Sequence, residues 1–363
     1  MSSSNILFIG KRFLCDPSGG REMLSAITFR IVKEIFQDKC YTFEIDSHSK
    51  VYPKPSLMNK IFKSHLDGIS PLMINSINEI IDQNNINKVF IDGSNLGFFA
   101  EKIKAKFPKI YIFCSFHNVE AKFFFDALIR KKSLKSAAIL LANFLSERKA
   151  VLNSDHIIAL TNNDSKNLDK IYGKFAHSIV PMALEDKFKS SFLLNANENV
   201  ERYILFVGGN FFANEYGIKW FTKNVSPYIE YKTFIIGSGF ENLKSELEQS
   251  KNVSVIGRVD SLSEWYINAE YVIAPIFEGS GMKTKVAEAM MYGKKILATS
   301  QALIGYEDAH IEAYYVCNTK TDYVELLSKL YSKIPKKFNE NLRQLYLKEY
   351  SLEASKTRLE RFL

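Results

Sequence analysis

Apolar positions in this chain fall into short, nearly continuous runs, set apart by longer stretches in which apolar and polar residues alternate at helical spacing. Ile6–Gly10, Val89–Asp92, Ile110–Phe116, His156–Leu160 and Ile179–Val180 read as strands of the first half. Tyr203–Gly208, Lys232–Gly237, Val253–Gly257, Tyr271–Pro275, Lys295–Thr299 and Tyr314–Val316 read as strands of the second. Continuous apolar strands are what a sheet covered on both faces requires. The pattern predicts helices over Glu22–Phe36, Asn143–Leu152, Asn242–Gln249, Lys283–Tyr292 and Thr321–Ser332. Alternation of strand and helix predicts an α/β fold with doubly wound parallel sheets. The alternation breaks once, at the polar stretch Leu184–Arg202. Read as a linker, it divides the chain into two α/β domains, residues 1–182 and 183–349. Ligands of such sheets bind beyond the carboxyl ends of the strands. Two facing domains therefore imply a cleft lined by loops from both.

A length of 363 residues suits two domains, each with its own core. With 46% apolar and 24% charged residues, the chain is neither disordered, collagen-like nor a small disulfide scaffold. Cys15, Cys40, Cys114 and Cys317 lie far apart, without a C-x-x-C pair or a His/Cys cluster. That usage argues against a zinc or thiol redox site and fits a reducing compartment, the cytoplasm. The start, Met1-Ser2-Ser3-Ser4-Asn5, has neither the basic nor the long apolar region of a signal peptide. The longest apolar stretch, Ala137–Ala142, is far short of the ~20 residues that span a bilayer.

The net charge of +8 is unevenly placed. Residues 1–182 hold 25 Lys and Arg against 17 Asp and Glu, whereas the rest is balanced at 23 of each. Residues 101–150 alone hold 11 basic and 4 acidic side chains. Such a patch attracts an anionic membrane surface, a polyanion or nucleic acid, or is a solvated helix face. No nucleic-acid recognition motif accompanies it. Within it, Phe123-Phe124-Phe125 precede Arg130-Lys131-Lys132 and Lys135, and apolar and basic groups in one segment suit a membrane interface. The other reading is core phenylalanines and solvated lysines.

Three loops could hold chemistry. Gly19-Gly20 opens the first helix, where paired glycines form either a plain turn or a place for backbone N–H groups to approach an anion or sugar. His117-Asn118-Val119-Glu120 ends a strand, as a capping cluster or as a site in which His117 meets a hydroxyl. The third, Glu278-Gly279-Ser280-Gly281-Met282-Lys283-Thr284-Lys285, joins a buried strand to a helix. A helix N-terminus favours a phosphate, Lys285 adds a charge, and Glu288 lies on the same face three residues on. Glu288 suits a ribose diol, or forms an i,i+3 ion pair with Lys285. Neither a Walker loop nor G-x-G-x-x-G is present.

In this order and spacing, the sequence resembles the GT-B glycosyltransferases of the retaining family-4 type. The resemblance spans nearly the whole chain. It rests on Phe206-Val207-Gly208-Gly209, Phe234-Ile235-Ile236-Gly237-Ser238-Gly239, Val255-Ile256-Gly257-Arg258-Val259, the block Tyr271–Gly293 and Gly293-Lys294-Lys295-Ile296-Leu297-Ala298-Thr299-Ser300. In the first half it rests on Gly19-Gly20, His117–Glu120 and Ser154–Thr161. Tyr350-Ser351-Leu352-Glu353 looks like a final helix, residues 350–363, that returns to the first domain. The resemblance implies transfer of a sugar from a UDP- or GDP-linked donor to a glycan or lipid-linked acceptor, with retained configuration and no cofactor or metal. It implies catalytic roles for His117, Lys285 and Glu278. Gly19, Gly20, Gly209, Val259, Ser280, Gly281, Met282 and Glu288 would hold the substrate. The family commonly has two glutamates eight residues apart, but here Ser280 stands eight before Glu288 and Glu278 two earlier still. Its Arg and Lys after the glycine pair are replaced by Asn210 and Glu215, so the diphosphate depends more on Lys285, with Lys283 nearby. Two other readings share the nucleotide site: a nucleotide-sugar 2-epimerase-like enzyme and a non-catalytic nucleotide-sugar-binding protein.

Overall fold

The computed structural model describes residues 4–14, 20–45, 52, 55–66, 68–191, 201–279, 281–306, 313–334 and 338–363. They form two compact units, Met1–Ala183 with Ser355–Leu363, and Leu184–Ala354.

The sheet of the first unit consists of β1 (Ile6–Lys11), β2 (Cys40–Ile45), β3 (Lys88–Asp92), β4 (Tyr111–Phe116), β5 (His156–Ala159) and β6 (Ser178–Ile179). Its order is β2-β1-β3-β4-β5-β6, and every pair is parallel. Leu7, Ile9, Val89, Ile91, Ile112 and Phe116 are fully buried, as the apolar runs require. The pattern does not predict β2. It lies at the sheet edge and buries fully only its end residues, Cys40 and Ile45, so its middle carries Thr42 and Glu44 without loss. The helix Gly20–Phe36 follows β1, and Leu134–Asn153 contains the predicted Asn143–Leu152.

The second sheet consists of β7 (Tyr203–Val207), β8 (Lys232–Ile236), β9 (Val253–Gly257), β10 (Tyr271–Ala274), β11 (Ile296–Ala298) and β12 (Tyr314–Val316). Its order is β12-β11-β10-β7-β8-β9, again parallel throughout. The helices Thr284–Met291 and Lys320–Tyr331 lie within a residue of expectation, but Asn242–Gln249 forms only a 3-10 turn and the single turn Lys244–Leu247. At the amino ends of the strands, Arg202 pairs both oxygens of Glu270 at 2.6 and 2.7 Å, and Tyr231 donates to the same carboxylate at 2.6 Å. That buried charge is fully partnered, so this end of the sheet is structural.

The winding direction reverses once in each sheet. β1 lies between β2 and β3, and β7 lies between β8 and β10. Loops leaving two such neighbouring strands diverge and open a crevice at their carboxyl ends. In the second unit these loops are Gly208–Phe211 and Pro275–Lys283. The helix Phe212–Asn224 lies against the end of β10, since a Cβ on Gly217 would stand 1.9 Å from the Pro275 carbonyl oxygen. Glycine alone permits that approach, and it brings Asn214 to the crevice. Of the polar stretch 184–202, residues 192–200 lie outside the described residues. Leu184 is fixed by Tyr346, whose hydroxyl donates to its carbonyl at 2.8 Å, and by its own N–H to Tyr350 at 2.9 Å.

Candidate functional site

The second crevice gathers most of the expected residues. The helix Thr284–Met291 starts beyond the β10 loop, with its N-terminal partial charge at the carboxyl end of the sheet. Lys285 is 5% exposed, and its Nζ donates to Asn214 Oδ1 at 2.8 Å over the Phe206 ring, 4.4 Å from the centroid. A Cβ on Gly208 would lie 3.1 Å from that Nζ, so the ammonium abuts the turn after β7. Burial pushes the Lys285 pKa down to about 7, against the opposing charge of Glu288.

Glu288 Oε2 accepts the Tyr266 hydroxyl at 2.8 Å. The Tyr266 ring stacks on Tyr292 at 4.7 Å, and the Tyr292 and Ser263 hydroxyls lie 2.9 Å apart. Burial raises the Glu288 pKa, while Tyr266 and Lys285 oppose the rise. No ion pair joins Lys285 to Glu288 among the described residues. The two side chains share a helix but have different partners, and among the described residues Oε1 of Glu288 has no protein hydrogen bond.

Lys283 differs from Lys285. Its Nζ donates to the carbonyls of Gly281 at 2.6 Å and Gly279 at 3.4 Å, so it closes its own loop. Burial lowers its pKa to about 8. Gln301 Nε2 donates to Gly279 at 2.7 Å and the Tyr306 hydroxyl to Lys283 at 2.9 Å, which hold the loop from outside. Gly279 and Gly281 have φ of +93° and +73°, conformations that favour glycine. Glu278 and Met282 are half-buried. Ser280 lies outside the described residues.

The turns after β8 and β9 border this site. Glu241 accepts the N–H groups of Arg258 at 2.8 Å and Gly239 at 2.6 Å, tying both turns together. Val259 packs partly against the core. Gly209 is exposed, and a Cβ there would meet only Ser238 Oγ at 3.8 Å. Neither packing nor φ demands glycine at this position.

In the first unit, Gly20 opens its helix and would also tolerate a Cβ, with nothing within 4 Å. Gly19 lies outside the described residues. His117 follows β4, and its Nε2 lies 2.7 Å from Oδ1 of Asp92, the last residue of β3. Asp92 is 2% exposed, and His117 Nδ1 is buried without a protein partner among the described residues. A buried, unpaired ring nitrogen is rare enough to need a reason. The loop around His117 rests on Glu147, which accepts the N–H groups of Glu120 and Ala121 at 2.8 and 2.9 Å and the Ser94 and Tyr172 hydroxyls at 2.8 Å. Burial raises the Glu147 pKa to about 7.

Asp92, Glu147, Asn214 and Tyr266 escape a sequence reading. Asp92 had a signal, an acid at the carboxyl end of an apolar strand. The other three have none, because each reaches its partner from a distant element. In the aromatic and basic segment, Phe123 and Phe124 are half-buried and meet edge to face at 5.0 Å, and Phe125, 49% exposed, is the most exposed of the three. The side chains of Arg130 and Lys131 lie outside the described residues. Among the described residues, no helix is long and apolar enough to cross a membrane, and no group of three or more His, Cys, Asp or Glu could hold a metal ion.

Residues 201–333 match the family model described as glycosyl transferases group 1, and that domain supports a transferase. The whole fold is GT-B. It superposes with a TM-score of 0.73 on sucrose-phosphate synthase from Thermosynechococcus elongatus, at 12% identity and covering 99% of this chain and 98% of that one. HepE of Anabaena in complex with UDP gives 0.69 at 10% identity, covering 98% of each chain. The lipopolysaccharide outer core galactosyltransferase WaaB gives 0.65 at 14% identity, covering 98% of each chain. No curated protein matches the sequence.

Proposed function

We propose that this protein transfers a sugar from a UDP- or GDP-linked donor to a glycan or lipid-linked acceptor, with retention of configuration, in the making of a surface polysaccharide or glycolipid. The observation that carries it is the Lys285 ammonium buried against the Gly208 turn, at the reversal point of a group 1 transferase domain. An anion placed there meets a fixed cation and a helix N-terminus. The free Oε1 of Glu288, one turn on, suits a ribose hydroxyl. HepE is described with UDP and with UDP-glucose, which favours testing uridine donors first.

When the glycosidic bond to the diphosphate breaks, negative charge grows on the leaving phosphate oxygens. Lys285 and the helix dipole stabilise it without reorganising, as preorganised electrostatics do. Gly209, Gly281 and Met282 bring backbone N–H groups close and Val259 lends backbone to the base, while Ser280 and the Gly19-Gly20 pair are assigned to the substrate from the sequence. Glu278 lies in the loop that meets the donor sugar. The chemistry needs no metal in this reading. A thermal-shift panel of nucleotide sugars tests it, since a ligand at 100 times its Kd adds about 2.7 kcal/mol of stability. Product analysis with and without acceptor then separates transfer from epimerisation or mere binding. Stabilisation by no nucleotide sugar would overturn the reading.

His117, oriented by Asp92, is assigned to the donor sugar or acceptor. His117→Ala is expected to lower kcat/KM about 2–13-fold, the worth of a hydrogen bond of about 0.5–1.5 kcal/mol. Calorimetry should show nucleoside diphosphate affinity unchanged; an equal loss of both would move His117 into the nucleotide site.

The first unit meets an anionic membrane from the cytoplasmic side. Met58, Phe62, Phe125, Ile129 and Leu134 are exposed on its helices, Leu134 at 92%, with Lys132 and Lys135 exposed beside them. Each basic residue near such a surface adds about 1 kcal/mol. Sedimentation should show capture by anionic vesicles at low salt and release at high salt. Changing Arg130, Lys131 and Lys132 to Glu should abolish capture, whereas indifference to vesicle charge would point to a soluble acceptor.

A further inference from the structure

Asn214 lies in the first turn of the helix Phe212–Asn224 and is 4% exposed. Both ends of its amide are engaged. Oδ1 accepts from Lys285 Nζ at 2.8 Å, and Nδ2 donates to the Gly209 carbonyl at 2.8 Å. A Cβ on Gly208 would lie 2.6 Å from Nδ2, so the turn after β7 is moulded on this side chain. No other protein oxygen holds the Lys285 ammonium among the described residues. Its second neighbour is the face of Phe206.

We propose that Asn214 is the positioning residue of the nucleotide site, clamping the Lys285 ammonium to the Gly208-Gly209 turn so that cation and backbone face one diphosphate together. This rests on the proposed nucleotide site and adds to it the residue on which its two halves depend. Asn214 spends both ends of its amide on Lys285 and Gly209, and so acts through Lys285. An amide suits the task better than a carboxylate. Its oxygen accepts from the ammonium without cancelling the charge offered to the phosphate, and its N–H₂ serves the carbonyl. The charged groups acting on Lys285 are Glu288 and Lys283, and its contacts from β7 and the Phe212–Asn224 helix are neutral.

The test follows the titration of Lys285 by NMR of its side-chain carbon in the ligand-free protein, the resonance being assigned by its loss in Lys285→Arg. Asn214→Ala should move the midpoint down by about one pH unit and Asn214→Asp should move it up, in variants shown to be folded by circular dichroism. Asn214→Ala should also weaken UDP or GDP about tenfold at pH 7 while leaving uridine and guanosine unaffected. An unmoved midpoint in both variants overturns the proposal, and so does an equal loss for nucleoside and nucleoside diphosphate. If the wild type binds no nucleotide, the proposed function fails, and the Lys285 titration still decides whether Asn214 positions the ammonium.

Discussion

Lys285→Ala is expected to lower kcat for sugar transfer about 10²–10³-fold, the effect of losing one preorganised donor to a developing negative charge. The size follows from isolation. By the resemblance, Asn210 and Glu215 replace two cations of the family pattern, and the ammonium of Lys283 is turned onto Gly279 and Gly281. Lys283→Ala should therefore loosen the loop and raise the donor KM more than it lowers kcat. A crippled Lys283→Ala beside a mild Lys285→Ala would reverse the assignment. The low pKa of Lys285, about 7, adds a pH signature. Below that value the free protein already carries the charge. Above it, binding of a diphosphate must first take up a proton, so affinity falls by up to tenfold per pH unit. Calorimetry in buffers of differing ionisation enthalpy would count that proton, and a flat profile between pH 7 and 9 would remove it.

Glu288→Ala should weaken nucleoside diphosphate binding by about 1.5–3 kcal/mol, the range for hydrogen bonds to a charged group. Inorganic pyrophosphate carries no ribose, so its affinity should be spared. Tyr266→Phe removes the hydroxyl that orients the carboxylate at 2.8 Å and should give a smaller loss in the same direction. Unchanged nucleotide affinity in folded Glu288→Ala, measured by calorimetry, would end the ribose role.

Both sheets were legible because their interior strands are buried on two faces and so cannot avoid apolar runs. β2 was hidden for the opposite reason, since an edge strand can afford Thr42 and Glu44. The loop from Glu278 to Lys285 was legible in kind, as glycines at positive φ leave a mark in sequence. The directions of its side chains were not. Spacing put Lys285 and Glu288 on one face, but the element each meets decided their partners, Asn214 from one side and Tyr266 from the other. Periodicity says which face a residue occupies, whereas partner choice depends on what the remaining chain packs there. For the same reason Phe123 and Phe124 are half-buried while Phe125 is exposed.

The first unit is discontinuous in the chain, completed by Ser355–Leu363. Phe362 stacks on His156 at 4.3 Å, and Lys88 donates to the Leu363 backbone oxygen, so these last residues cover the amino ends of β5 and β3. During translation at about 5–20 residues per second, the intervening Leu184–Ala354 keeps the ribosome busy for about 10–35 s. For that interval the nascent first unit lacks its closing segment, while the second unit is already contiguous and free to fold as it emerges. Synthesis thus exposes most of the second unit before the first can be sealed, and the amino ends of β3 and β5 stay uncovered until the last residues emerge.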